Sequence, residues 1–272
     1  MSLPAALPKI ALVLLTVFVA GYAAIASIVY FKQRSFIYFP SQQIRTTAPG
    51  YEIVRLETSD GLNLAAGYRK ARAGMPTLLA FHGNGADWQS MAFGLRPIVD
   101  RGYGVLALEY RGYQGNPGNP SEQGIYNDGY AALQWLEENG VPDRDVVAVG
   151  NSLGSGVAVE LASQRRLLGL VLVSPVSSMT RLASMRMPWL PVNFLLRDRY
   201  DNLAKLPDVR VPILVLHGEA DRVIPFAEGQ LLAASNPEAQ FVPFANFGHE
   251  LMYEPAITRA LASFLRGSLN RS

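Results

Sequence analysis

Five short runs in this chain are apolar almost throughout: Thr77 to Phe81 (TLLAF), Gly104 to Leu108 (GVLAL), Val146 to Val149 (VVAV), Leu170 to Val173 (LVLV) and Ile213 to Leu216 (ILVL). A strand with one wet face alternates polar and apolar residues, whereas these runs suit strands covered on both faces, as in a parallel sheet flanked by helices. Gln240 to Phe244 (QFVPF) is a weaker sixth run. Helical stretches separate them at Ser121 to Asn139, Leu153 to Arg165, Pro225 to Ala234 and Glu254 to Leu265. Such alternation implies a doubly wound α/β sheet, whose functional residues sit in loops at the carboxyl ends of strands. Upstream, Glu52 to Thr58 and Leu62 to Arg69 flank the turn Ser59-Asp60-Gly61 and read as an antiparallel hairpin. Val176 to Leu206 breaks the alternation. It is too long for a plain connection and is expected to form a small excursion or lid.

The N-terminus has a different character. Lys9 is the only charged side chain among the first 31 residues, and an unbroken apolar stretch, Ile10 to Phe31, follows it. At about 1.5 Å per residue those 22 residues reach about 33 Å, enough to cross the hydrocarbon core of a bilayer. A cleavable signal peptide is the rival, with Ala24-Ile25-Ala26 as its cleavage site, but the apolar run continues to Phe31 and favours an anchor. Lys9 faces Lys32, Arg34 and Arg45, so positive charge leaves the orientation open. The expected organisation is a flank at 1–9, an anchor at 10–31, a juxtamembrane linker at 32–50 and an α/β domain at 51–268, with the excursion at 176–206.

Composition removes several function classes. Twenty-four basic against 22 acidic residues leave a net charge of +2, far from the basic surface that a phosphate backbone requires, so nucleic acid is not an expected partner. The absence of cysteine excludes a thiolate nucleophile, cysteine-ligated zinc and iron–sulfur clusters.

Gly150-Asn151-Ser152-Leu153-Gly154 is a G-x-S-x-G sequence directly after the strand VVAV and directly before a helical stretch. Where a strand turns so tightly into a helix, side chains two positions either side of the serine would collide, and the turn lifts the hydroxyl above the sheet. A serine hydroxyl needs a base, and the base needs an orienting group. Of the three histidines, only His249 leaves room for a strand and an acid between itself and Ser152, so His82 and His217 are read as structural. Asp221, in the loop after ILVLHG, is favoured as the acid over Glu219; the bland alternative is that Asp221 caps the next helix. The backbone amides of Leu153 and Asn84, the latter in the small loop His82-Gly83-Asn84-Gly85, are expected to hold an oxyanion.

These residues resemble the α/β-hydrolase superfamily, in particular its membrane-anchored serine hydrolases. The likeness is carried by Phe81-His82-Gly83-Asn84-Gly85, by Glu109-Tyr110-Arg111-Gly112-Tyr113 with Pro120-Ser121-Glu122, by the G-x-S-x-G turn, by Gly218-Glu219-Ala220-Asp221 with Val223-Ile224-Pro225, and by Gly248-His249. It covers roughly Tyr51 to Leu265 and extends more loosely to Gln33-Arg34-Ser35-Phe36-Ile37-Tyr38-Phe39-Pro40. Asn151, where close relatives often carry Arg, and Glu109, where Asp is common, depart from the pattern. The resemblance implies an α/β-hydrolase fold: a mostly parallel sheet with an N-terminal antiparallel hairpin, helices on both faces, a small lid and an N-terminal transmembrane helix. It also implies a Ser152, Asp221 and His249 triad, Asn84 and Leu153 as oxyanion donors, an ester, thioester or lipid acyl substrate, and no metal or organic cofactor. Met179, Met185, Met187 and Trp189 are candidate acyl-binding residues, since Met offers an adaptable apolar surface. A serine peptidase of the same fold and a non-catalytic, membrane-tethered binding module are the alternatives.

Overall fold

The computed structural model describes residues 6–41 and 48–269. A long helix, α1 (Ala6–Ile37), precedes eight strands: β1 (Glu52–Glu57), β2 (Asn63–Arg69), β3 (Thr77–Phe81), β4 (Gly104–Leu108), β5 (Val146–Asn151), β6 (Gly169–Val173), β7 (Ile213–Gly218) and β8 (Ala239–Phe244). They form one sheet in the order β1-β2-β4-β3-β5-β6-β7-β8. Only β2 runs against its neighbours; every pairing from β4 to β8 is parallel. The helices that follow are α2 (Trp88–Gly94), α3 (Arg96–Val99), α4 (Glu122–Glu138), α5 (Gly154–Gln164), α6 (Met179–Arg186), α7 (Val192–Leu195), α8 (Asn202–Lys205), α9 (Phe226–Ala234) and α10 (Ile257–Leu269).

The apolar runs are strands because both of their faces are covered. Successive side chains of a strand point to opposite sides. In β3, Leu79 and Phe81 therefore join the core beneath α4 and α5, while Leu78 and Ala80 join the core beneath α2, α3 and α10. β5 divides in the same way, with Val146 and Ala148 on one side and Val147 and Val149 on the other. β8 gave the weakest signal because it is the edge strand and only half covered.

Two boundaries differ from expectation, each for a local reason. α1 does not stop at Phe31 but runs on to Ile37, so the first residues of the expected 32–50 linker are helical. No Gly or Pro lies between Phe31 and Pro40, and Gln33 and Ile37 are buried against the rest of the protein. Residues 42–47 of that linker, and 1–5 of the flank, lie outside the described residues. The last helix begins at Ile257 rather than Glu254 because Glu254 precedes Pro255 and is extended (φ −90°, ψ 132°), as a residue before proline tends to be. Val176 to Leu206 is three short helices, α6, α7 and α8, joined by irregular chain.

Arg111 binds the hairpin to the helical layer. It is 6% exposed; its Nε donates to Asp128 Oδ1 of α4 at 2.8 Å, and its Nη1 donates to Asp60 Oδ2 in the hairpin turn at 2.6 Å. Asp128 is wholly buried. Removing one partner of a buried ion pair strands the other, at about 3–5 kcal/mol. Arg111→Met should therefore lower the unfolding free energy by about that much in denaturant titrations near neutral pH, and adding Asp128→Leu should recover part of it. Burial already pushes the Asp128 carboxyl above its ordinary value. In the single variant the penalty is then present while Asp128 is ionised and shrinks as the pH falls through its raised pKa.

Candidate active site

The loops after β3, β5, β7 and β8 meet at one edge of the sheet because parallel strands present all their carboxyl ends together. At the centre is the turn from β5 into α5. Ser152 has φ +52°, a left-handed conformation that non-glycine residues adopt at a cost. The flanking glycines make the turn possible: a Cβ on Gly150 would lie 2.6 Å from the Gly154 carbonyl oxygen, and one on Gly154 would lie 2.3 Å from that of Phe81. Ser155 closes the turn, its N–H and hydroxyl both donating to the Ser152 carbonyl at 3.0 and 2.6 Å.

The structure brings Ser152, His249 and Asp221 into one hydrogen-bonded line. His249 Nδ1 is 2.8 Å from Asp221 Oδ2 and its Nε2 is 2.9 Å from Ser152 Oγ. An ionised carboxylate only accepts, which places the imidazole proton on Nδ1 and leaves Nε2 to accept from the serine hydroxyl. The Ser174 hydroxyl donates to the His249 carbonyl at 3.2 Å and steadies that loop. The other Asp221 oxygen accepts the amides of Val223 and Ile224 at 2.8 and 2.9 Å, so Asp221 both organises the turn into α9 and orients His249. Its side chain is fully buried, yet hydrogen bonds from His217 and His249 outweigh burial and hold its carboxyl well below the usual carboxylate range. Glu219 is exposed to solvent.

His217, read as structural from sequence, is a neighbour of this line. It is fully buried, with Nε2 3.1 Å from the Ile224 carbonyl and 3.3 Å from Asp221 Oδ2. His82 pairs through Nε2 with Glu109 at 2.9 Å, and the Tyr110 hydroxyl donates to the His82 carbonyl at 2.8 Å, so the Glu-Tyr-Arg-Gly-Tyr loop braces the loop after β3. Asn84, in that braced loop, has its side-chain oxygen held by the Phe39 amide and the Tyr113 hydroxyl. Among the described residues neither the Asn84 nor the Leu153 backbone N–H has a hydrogen-bond partner in the protein, and both residues line the cavity over Ser152.

That cavity holds about 310 Å³. Met179, Leu182 and Met187 line one side, Leu195 and Leu196 another, and Val29, Gln33, Phe36 and Ile37 of α1 a third; among the described residues Arg186 is its only charged lining residue. Met185 and Trp189, expected with the other apolar residues of the excursion, lie outside the lining and are half exposed: Met185 is on the outward side of α6, and Trp189, beyond the end of α6, packs against Tyr22 of α1. Among the described residues no group of three His, Asp or Glu side chains is placed to hold a metal ion.

Residues 78–201 match the alpha/beta hydrolase family. The alpha/beta hydrolase domain-containing protein WAV2 of Arabidopsis thaliana is 30% identical over 224 residues, 73% of this chain and 72% of its own. This chain belongs to the alpha/beta hydrolase family. A Mycobacterium tuberculosis protein is 35% identical to this hydrolase over 272 residues, 96% of this chain and 95% of its own. The lysophosphatidylserine lipase ABHD12 of Danio rerio is 29% identical over 227 residues, 70% of this chain and 58% of its own. Among solved structures, a Pyrococcus furiosus esterase superposes with a TM-score of 0.68 at 18% identity, over 85% of this chain and 98% of its own. A bacterial membrane phospholipase A gives 0.64 at 19% identity, over 96% and 98%.

Two features of the hydrolase site escaped sequence reading. The Val29, Gln33, Phe36 and Ile37 wall has helical spacing, i, i+4, i+7 and i+8, but it straddles the end of the apolar run at Phe31, and residues 32–37 were expected to be linker rather than helix. Asn202 had no local signal at all. Its amide donates to the Val176 carbonyl at 2.7 Å and approaches Ser155 Oγ at 3.4 Å, joining the turn to the excursion across 47 residues of sequence.

The steric reading of the turn has a direct check. Gly154→Ala should lower the melting temperature, since overpacking against main chain costs about 1–3 kcal/mol or more. Gly267→Ala, where nothing lies within 4 Å of the new methyl, should leave stability unchanged or raise it by up to about 1 kcal/mol.

Proposed function

We propose that this hydrolase is a membrane-anchored serine esterase that cleaves carboxylic esters or thioesters of apolar acyl groups through an acyl-serine intermediate. The observation that carries the reading is the hydrogen-bonded line Asp221–His249–Ser152 opening into an apolar cavity. The serine oxygen attacks the acyl carbon while its proton passes to His249 Nε2. The carbonyl oxygen becomes negatively charged between the amides of Asn84 and Leu153, where a single such donor contributes about 100- to 1,000-fold to the rate. Collapse of the tetrahedral intermediate expels the alcohol or thiol, which takes the proton from His249. Water then attacks the acyl-serine, again losing its proton to His249, and the acid departs as the serine hydroxyl is restored.

The lining supports an acyl substrate over a peptide. Among the described residues Arg186 alone carries charge there, and no paired groups stand ready for a peptide's charged ends. The relative named as a lysophosphatidylserine lipase and the structural neighbour titled membrane phospholipase A agree with lipid esters. α1 is long and apolar enough to cross a membrane, and its exposed side chains from Ile10 to Val19 are apolar except Thr16, whose hydroxyl donates to the Leu12 carbonyl, which supports an anchor over a core helix.

Ser152→Ala should abolish both fluorophosphonate labelling and hydrolysis of p-nitrophenyl esters while leaving the melting temperature unchanged. Asp221→Asn should cut turnover by about 10⁴-fold, the size that loss of the orienting carboxylate has in a serine triad. Glu219→Gln should stay near wild type. The reverse ranking of these two variants would assign the acid to Glu219.

A further inference from the structure

Half of the apolar run of α1 is covered by the excursion. From Ile10 to Gly21 every residue of the helix is exposed, but from Tyr22 onward one face is sheltered: Tyr22, Ala26, Val29, Tyr30, Gln33 and Ile37. Their spacing is that of a single helical stripe. The Tyr22 hydroxyl donates to the Trp189 carbonyl at 2.9 Å, and the two rings meet edge to face at 6.4 Å. Lower down, Gln33 donates to the Leu195 carbonyl and accepts the Arg197 amide, while Arg34 grips Asp198.

Tyr22 stands nine residues inside Phe31, so it lies about 14 Å along the helix from the end of the apolar stretch. If Ile10 to Phe31 spans the hydrocarbon, the segment around Trp189 lies inside it as well. A tilt of about 20° shortens that depth by less than a tenth. Sliding the helix outward until Trp189 clears the layer would draw Lys9 into hydrocarbon and leave Ile25, Ile28 and Phe31 in water.

The covering segment is itself composed for such a place. Met187 to Leu196 contains no charged residue, and Asn193 is its one polar side chain apart from the indole; Arg186 precedes the stretch and Arg197 follows it. Phe194 is 87% exposed and Trp189 54%. In hydrocarbon an irregular backbone must satisfy its own polar groups. Of these ten residues, Pro188 and Pro191 have no N–H, and Met187, Leu190, Val192, Phe194, Leu195 and Leu196 donate to backbone carbonyls within the excursion.

We propose that residues 187–196 are inserted in the same bilayer leaflet as the adjoining half of α1, and that the cavity over Ser152 draws its substrate, an acyl ester resident in that leaflet, from between α1 and α7. The proposal rests on the anchor and esterase reading above. Arg186 and Arg197 then lie where the segment leaves the layer, and an acyl chain reaches the serine along Val29, Phe36 and Leu195 without crossing water.

The absence of cysteine allows clean site-directed labelling of the full chain. Nitroxides are placed singly at Phe194→Cys, at Phe18→Cys on α1 and at Glu138→Cys at the far end of α4, in vesicles of phosphatidylcholine and phosphatidylglycerol. Relaxation by oxygen, which concentrates in hydrocarbon, is compared with relaxation by a water-soluble nickel complex. The Phe194 and Phe18 labels should both favour oxygen, and the Glu138 label nickel. A Phe194 label behaving like Glu138 while Phe18 reports lipid overturns the insertion and leaves the anchor standing; water at Phe18 overturns the anchor and the insertion with it. In a second arm, Phe194→Asp should lower kcat/KM severalfold for a long-chain monoacyl ester embedded in vesicles and leave hydrolysis of a soluble acetyl ester unchanged. Equal loss on both esters, or none on either, overturns delivery from the leaflet. The labels need no turnover, so their result is independent of whether Ser152 is the nucleophile.

Discussion

A parallel strand cannot return through a tight turn, and that constraint organises this hydrolase. Each crossover must run back along a face of the sheet, so every strand from β3 onward delivers its carboxyl end to the same edge. The chemistry collects there. Ser152 follows β5, Asp221 follows β7, His249 follows β8 and Asn84 follows β3. Residues spread over 165 positions thereby share a volume a few ångströms across, and the sheet's close packing keeps them from drifting apart.

The turn at Ser152 is strained, and its surroundings hold the strain in place. Gly150 and Gly154 remove the atoms that would clash, while Ser155 ties the serine carbonyl into α5. Ser155 also accepts the Val176 amide at 3.0 Å, and Asn202 returns to the Val176 carbonyl, so the strained turn and the excursion share hydrogen bonds. From the excursion the connection continues into α1. Asp198 accepts from both Arg34 and Tyr38, and the Tyr38 hydroxyl meets that of Tyr200, which is wholly buried. The apolar helix is therefore part of the packing around the cavity rather than a tether attached to a finished domain.

Much of this was legible in sequence. The five apolar runs became central strands because uniform apolarity reports burial on both faces, and the strand–GxSxG–helix context reported a turn whose sterics are local. The resemblance, resting on the G-x-S-x-G turn, His-Gly-Asn-Gly and Gly-His, pointed to the family to which the chain belongs. The limits of reading were equally physical. His217 looked like an ordinary strand-end histidine, yet it lies 3.3 Å from the Asp221 carboxylate, a contact made only when β7 turns into the loop before α9. The apolar residues of the excursion looked alike in sequence, but Met179 and Met187 line the cavity while Met185 is on the other side of α6 and Trp189 packs against Tyr22 of α1.

What the sequence determined by itself was everything governed by neighbours a few positions apart: strand and helix, the steric need for glycine around Ser152, the uncharged span of α1, and the supply of one hydroxyl, three imidazoles and two nearby acids as candidate chemistry. The tertiary structure decided which of those groups meet. It placed Asp221 rather than Glu219 within 2.8 Å of His249, and it set Gln33 against Leu195 across 162 residues of sequence. Pairings of that kind depend on how twisted sheet, crossover helices and excursion pack together, and no local pattern of side chains encodes the direction in which two distant loops approach.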